Sequence, residues 1–391
     1  MDFQISDEQQ LMVGTVRELV SENFGPEYWR EKEQNGEFPI EYWEALANDG
    51  WLGLMLPEEY GGQGMDSLDL ALVIEAICAA GAGAAGSWYY LLTPIFGGLS
   101  IAVNGTETQK EKYLPGICDG TIEFCMGLTE PDAGTNTFAM ETTAERDGDE
   151  FVINGQKMWT SGADRGDAMM LVTRTKPLDD IDHRSEGISL FLVDLPADGV
   201  KVEKIPKVGY NYSNTCQVFF DDVRVHEEQL LGTLHGGWSE LHDTINIERI
   251  VNAAGAVGTG ELAINTAADY ASEREVFDQP IGSHQGIQFP LAKRKAELET
   301  ARSLNRKAAW QYDNDQGEYI ENMNMAKYVA TESAFQAADA ALQTHGGVGY
   351  AVEYDVERWW RELRLLRIAP VTQEMALNYI AQHVVGLPKS Y

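Results

Sequence analysis

Basic residues are scarce in this chain of 391 residues. Its 29 lysines and arginines stand against 62 aspartates and glutamates, a formal net charge of −33. A surface of that sign repels nucleic-acid backbones and anionic membranes, so neither is expected as a partner. Phosphate-bearing ligands stay compatible, because they need only a local basic group or a helix N-terminus. Cysteine is also scarce. Cys78, Cys118, Cys125 and Cys216 show no CxxC spacing and read as reduced thiols. The seven histidines form no HExxH and no close His–Cys pair, so no zinc site is expected. No window consists of ~18 uncharged apolar residues throughout, so no membrane insertion is expected. The start, MDFQISDEQQLMVGTVREL, lacks a basic n-region and is too acidic for a transit peptide. A cytoplasmic location is therefore expected.

Familiar nucleotide and hydrolase signatures are missing too. There is no Walker A motif and no GxSxG. HGGW at 235–238 and HGGVG at 345–349 have the form of oxyanion loops but no nucleophile to serve. GAGAAG at 81–86 matches GxGxxG, yet it follows LDLALVIEAICAA, whose apolar spacing is helical. A dinucleotide loop should follow a strand. The stretch reads as a helix end rich in small residues, and GSWYYLLTPIF after it is not expected to be a helix opened by that loop.

What is present divides into three textures. Residues 1–120 carry helical periodicity, as in EQQLMVGTVRELVSENF and PIEYWEALANDGW. Residues 121–230 switch to short runs rich in Val, Ile, Thr and Phe, such as AMMLVTRT, GISLFLVDL and CQVFFDDVRV, broken by turn formers. Residues 231–391 return to long helices with short connections, the pattern of an antiparallel bundle. The expectation is an α+β chain of three domains with these limits: N-terminal helices, a small β domain, then a C-terminal four-helix bundle.

Several blocks invite a ligand without requiring one. GLTEPDAGTNT at 127–137 combines turn formers with hydroxyls, although a plain interdomain connection would look the same. NGQKMWTSGA at 154–163 places a Trp before two hydroxyl residues, where it could stack on a flat ring; a Trp in a β domain is more often core. REVFDQPIGSHQGIQ at 274–288 sets Arg274, Phe277 and Gln285 around a Pro-Ile turn. QTHGGVGY at 343–350 has glycines that permit close backbone approach. RIAPVTQEM at 367–375 breaks two helices at Pro370.

Together, in this order, these blocks resemble the acyl-CoA dehydrogenase family over nearly the whole chain, along with GWLGLMLPEEYGGQGM, GTETQKEKYLPGICDG, VFFDDVRVHEEQLLG and VERWWREL. The resemblance implies FAD as cofactor, an acyl-CoA substrate, an electron-transfer flavoprotein as electron acceptor, and a homotetramer. It implies oxidation of the Cα–Cβ bond: a glutamate takes the α-proton while the β-hydride passes to flavin N5. Carried over residue by residue, the cofactor contacts are Met126, Leu128, Thr129, Thr135, Trp159, Ser161, Arg274, Phe277, Gln285, Gln343, Gly346, Gly347, Thr372 and Glu374. Arg274 matches the residue that reaches a neighbouring subunit's FAD. Thr135 also sits near the CoA moiety. Asp278 replaces the usual Gly after the Phe.

The base is displaced from its commonest place. Many members read Tyr-Glu-Gly-Thr in the final turn, and that Glu is the base. Here the run is Ala369-Pro370-Val371-Thr372. A branch that includes isovaleryl- and long-chain-type enzymes carries its Glu before an Arg early in the first long bundle helix. NIERIVNAAGAVG supplies Glu248 and Arg249 there. On its own, a Glu beside an Arg in a helix reads as a solvated charge; the resemblance and the empty turn make Glu248 the expected base. Arg249, Asn246, Thr135, Ala369 and Pro370 are the expected substrate contacts. Pro370 also removes a backbone N–H that the family uses to hold the thioester carbonyl. Two alternatives follow: the same fold doing oxidase or redox-neutral lyase or desulfinase chemistry, or a non-catalytic subunit of a hetero-oligomer.

Overall fold

The computed structural model describes residues 4–390, so the outer limits expected for the first and last domains, residues 1 and 391, lie outside the described residues. Helices come first: α1 (Asp7–Asn23), α2 (Pro26–Asn35), α3 (Ile40–Asn48), α4 (Ser67–Ile77), α5 (Ala85–Tyr90), α6 (Ser100–Asn104) and α7 (Glu107–Cys118). Sequence signals set their starts. Ser6 and Gln9 form a reciprocal capping box ahead of α1, and Thr106 and Gln109 do the same ahead of α7. Each box satisfies amide donors that a helix N-terminus leaves open.

One expectation fails in this part. GSWYYLLTPIF is helical: α5 runs on into a wider helical turn over Leu91–Leu99, with Pro94 inside it. The segment is apolar on nearly every side and almost wholly buried. A helix buried all round has no amphipathic stripe, so periodicity could not reveal it. Gly81 and Gly83, both at positive φ, kink the chain just before it.

The strands follow: β1 (Phe124–Gly127), β2 (Thr143–Asp147), β3 (Glu150–Ser161), β4 (Ala168–Arg174), β5 (Ile188–Asp194), β6 (Val200–Lys204), β7 (Thr215–His226) and β8 (Leu230–Leu231). They make an eight-stranded sheet in the order β6-β7-β3-β2-β4-β5-β8, with β1 alongside β4. β1 pairs parallel with β4, setting Met126 opposite Met170. β3 and β7 pair antiparallel, with a register shift between Lys157 and Thr160.

The C-terminal part holds α8 (Gly237–Glu273), the short hairpin β9 (Glu275–Val276) and β10 (Gln279–Pro280), then α9 (Gln285–Asp313), α10 (Tyr319–His345), α11 (Val356–Leu366) and α12 (Gln373–Tyr379). The long helix α8 packs against α4, α9 and α10. Small residues let them approach closely. Ala253, Ala254, Ala256 and Gly260 of α8 and Ala330, Ala334 and Ala337 of α10 are all buried. A Cβ on Gly260 would stand 3.1 Å from the Ala334 Cα, tighter than an ordinary van der Waals contact. The chain is thus α+β, with helical ends and a β middle. The helical Leu91–Leu99 segment touches both β1 and α8, so it joins the sheet to the bundle.

Candidate active site

Glu248 lies in the first half of α8 and is 1% exposed. Its neighbours explain how a carboxylate tolerates that burial. The Asn252 side-chain amide, one turn on, donates to Oε1 at 2.7 Å. Among the described residues no protein donor reaches Oε2. Burial pushes the Glu248 carboxyl up to about 7, while the charges of Arg249 and Lys327 and the Asn252 hydrogen bond pull the other way. A carboxylate near neutrality with one free oxygen is chemically suited to take and hold a proton.

Arg249 donates to Asn246 Oδ1 at 2.6 Å, and its Nε is buried without a partner. Lys327 of α10 is as buried as Glu248. Its ammonium donates to the Leu366 carbonyl at 2.9 Å and to the Val371 carbonyl. Ala369 and Pro370 therefore sit in a turn tied to α10 by a lysine. Pro370 is exposed and Ala369 half-buried. The amides of Val371 and Thr372 donate to no group among the described residues. Thr372 caps α12, its hydroxyl accepting from the Met375 amide, and Glu374 in the first turn is exposed.

A second group lies on the sheet. Met126 and the residues after β1, Leu128 and Thr129, are half-buried. The Thr129 carbonyl accepts from the Met158 amide at 2.7 Å, and the Leu128 carbonyl from Lys157 Nζ at 3.0 Å. This locks the segment to β3 just before Trp159. Trp159 has φ +63° and is 54% exposed, although it is among the largest apolar side chains of the domain. The register shift in β3 turns it outward. Ser161 next to it is buried and shares a hydrogen bond with Thr215 at 2.8 Å, and the Thr160 hydroxyl is buried without a partner. Thr135 is exposed on the loop beyond.

A third group lies at the far end of the bundle. Arg274 closes α8, some 40 Å from Glu248 at about 1.5 Å per residue. Phe277 and Asp278, at φ +55° and +65°, form the two-residue turn of the β9–β10 hairpin, and Asp is among the few non-glycine residues that adopt it readily. Phe277 is 88% exposed. Gln285, Gln343, Gly346 and Gly347 are exposed nearby, where Tyr270 of α8 stacks on His345 of α10 at 4.3 Å. A Cβ on Gly346 or Gly347 would meet nothing within 4 Å, so their backbone is open to an approaching group.

HGGW has a structural place instead of a catalytic one. His235 is held by Thr175 Oγ1 at 2.8 Å and its amide donates to Ser189 at 2.8 Å, fixing the entry to α8. Four buried polar residues were not anticipated from the sequence: Asn252, Lys327, Lys157 and Glu130. Lys327 alone among them carried a signal. Lys327 falls on the stripe Met323, Ala326, Ala330, Ala334, where a helix facing its core should be apolar.

Family models for the acyl-CoA dehydrogenase N-terminal, middle and C-terminal domains match residues 6–121, 125–223 and 235–385. Among curated relatives, acyl-CoA dehydrogenase FadE12 of Mycobacterium tuberculosis is 40% identical over 387 residues, spanning 99% of this chain and 98% of its own. A glutaryl-coenzyme A dehydrogenase solved with glutaryl-CoA superposes with a TM-score of 0.93 at 31% identity, covering 100% of this chain and 98% of that one. The FAD complex of PigA superposes with a TM-score of 0.93 at 25% identity, covering 98% of this chain and 99% of that one.

Proposed function

The chain belongs to the acyl-CoA dehydrogenase family, and from the buried carboxylate of Glu248 we propose that it oxidises an acyl-CoA thioester by drawing off the α-proton with that residue. The enzyme is an oxidoreductase and FAD is its cofactor. The residues present fit that group. An outward-turned Trp159 offers a ring face, an unpartnered Thr160 hydroxyl lies beside it, and the open glycines 346 and 347 leave backbone clear for phosphates. When bound, FAD supplies the two-electron acceptor for the β-hydrogen.

The rest is the work of this chain. Asn252 holds Oε1, so Oε2 is left to receive the α-proton. Desolvation raises the basicity of Glu248 toward neutral pH, where a base is most effective. Loss of the α-proton puts charge on the thioester oxygen, which needs donors. Pro370 supplies none, but the unpaired amides of Val371 and Thr372 in the same turn support a donor there. Met126, Leu128, Thr129, Trp159 and Ser161 are the proposed cofactor contacts on the sheet, with Thr372 and Glu374 from the turn. Thr135, Asn246, Arg249 and Ala369 are the proposed substrate contacts.

Arg274, Phe277, Gln285, Gln343, Gly346 and Gly347 gather around the end of α8 remote from Glu248. Family membership supports a homotetramer in which this end meets a neighbour's cofactor. Family membership supports an electron-transfer flavoprotein as acceptor. It also supports three domains over 1–120, 121–230 and 231–391.

Pro370 favours a second reading, oxidase or redox-neutral chemistry on an acyl-CoA. Anaerobic titration with a panel of acyl-CoAs separates the two. Flavin bleaching that persists in air supports dehydrogenation, whereas rapid reoxidation, or product formed without bleaching, supports the second reading. Glu248→Gln is expected to abolish bleaching with FAD still bound; retained bleaching overturns the assignment of the base.

A further inference from the structure

Lys327 is a buried lysine for which the proposed reaction has no use. It sits on the core-facing stripe of α10 among Met323, Ala326, Ala330 and Ala334. Burying an ammonium is costly unless it is both bonded and paired. Two of its bonds go to the Leu366 and Val371 carbonyls, one on each side of Ala369 and Pro370. Turning the Val371 carbonyl toward Lys327 turns the Thr372 N–H the opposite way, because the peptide unit is planar and trans. The lysine therefore sets which way the unpaired amide points.

The charge of Lys327 also acts on Glu248 of the neighbouring helix. The groups facing the two come from three helices. α8 contributes Glu248, Arg249 and Asn252, α10 contributes Lys327, and α12 contributes Glu374, with Tyr379 against Arg249. The turn has a second, outer tie that does not involve Glu248. Arg367 donates to Gln373 Oε1 at 3.0 Å, and Gln373 donates to Glu332 and Thr331 at 3.3 Å. Lys327 is the cation of this cluster that bonds the turn and also faces the carboxylate.

Resting on the reading of Glu248 as the base, we infer that Lys327 is a positioning residue for proton abstraction: its ammonium fixes the 366–372 turn by two carbonyls and keeps Glu248 ionised. One cation thus couples the placement of the thioester's donors to the charge state of the base.

Lys327→Gln retains side-chain N–H donors for the turn but removes the charge, and Lys327→Met removes both. The readout is the pH profile of kcat/KM. Loss of a facing positive charge raises a carboxyl by about one pH unit or more. In both variants the acid limb is expected to move up by about that amount, with kcat/KM near neutrality down about tenfold and recovering at higher pH. In Lys327→Met alone KM for acyl-CoA is also expected to rise. A limb that stays in place, or a loss equal at every pH, overturns the inference. Should neither variant fold, Glu374→Gln reads the same pairing from the other side: Glu374 helps hold the charge on Lys327, so removing that anion weakens the cation facing Glu248, and the limb is expected to move up. An unmoved limb there overturns the inference as well. Glu248→Gln keeps the two readings apart. Retained bleaching in Glu248→Gln breaks the base assignment, whereas abolished bleaching with an unmoved limb in Lys327→Gln breaks the role of Lys327 alone.

Discussion

The amide of Asn252 donates to Oε1 of Glu248 at 2.7 Å, one turn apart on the buried face of α8. The bond orients a carboxylate that would otherwise be free to rotate inside the protein. Burial outweighs it, and the Glu248 carboxyl rises to about 7. A base works only when ionised, so kcat/KM is expected to be full above that pH and to fall about tenfold per pH unit below it. Steady-state rates across pH with a turned-over acyl-CoA check this. An acid limb near the ordinary value for glutamate would show that Glu248 is solvated or is not the base.

Asn252 itself gives the second prediction. A hydrogen bond to a charged group is worth about 1.5–3 kcal/mol. Asn252→Leu removes it from the ionised form only, so the limb is expected to climb by about one to two pH units. At neutral pH the variant loses activity, and at high pH it regains most of it. FAD absorbance should be unaffected, since Asn252 has no expected contact with the flavin. A pH-independent loss would mean that Asn252 supports the helix and not the carboxylate.

Lys157 and Glu130 form the third test, at the cofactor side. Their charged atoms lie 2.7 Å apart, with the lysine 0% exposed. Glu130 also accepts from the Glu141 and Thr142 amides at 2.7 and 3.0 Å, and Lys157 reaches the Leu128 carbonyl. Removing one member of a buried pair strands the other charge and costs about 3–5 kcal/mol. Glu130→Ala is expected to lower the denaturation midpoint strongly and to weaken FAD retention, because Lys157, which also holds the Leu128 carbonyl, loses its counter-charge and the segment after β1 loses one of its ties to β3. Near-normal stability would show that water reaches Lys157.

These residues also mark how far the sequence could be read. α1 and α7 announce themselves by capping boxes, and the sheet by short β-branched runs. Leu91–Leu99 does not, since a helix buried on every side has no period to detect. Glu248 is legible only through the family resemblance: the turn at 369–372 lacks the usual carboxylate, and Glu248-Arg249 matches the place where one branch of the family carries its base. Its partners were less legible. Asn252 is an ordinary i+4 polar residue until Glu248 is known to be buried. Lys327 is a charge on an apolar stripe, a local signal of burial, but its partners are backbone carbonyls some 40 positions away, which no local pattern encodes. The outward turn of Trp159 depends on a register shift between β3 and β7, a property of paired strands and not of either one.

Pro370 sets the last prediction. The family's usual amide is missing there, and one such donor can be worth about a hundredfold to a thousandfold in rate. If the turn had no substitute, restoring the N–H with Pro370→Ala should raise kcat by something approaching that factor. The turn has substitutes at hand, since the Val371 and Thr372 amides are unpaired and Lys327 fixes the carbonyl between them. Pro370 is exposed, so the substitution disturbs no core packing. The expected outcome is a kcat within about threefold of the parent enzyme, far below the gain a missing oxyanion donor would allow. Single-turnover flavin reduction measures the step directly. A large acceleration would mean that the proline leaves the thioester oxygen undersupplied, and that the native reaction is one in which less charge gathers there.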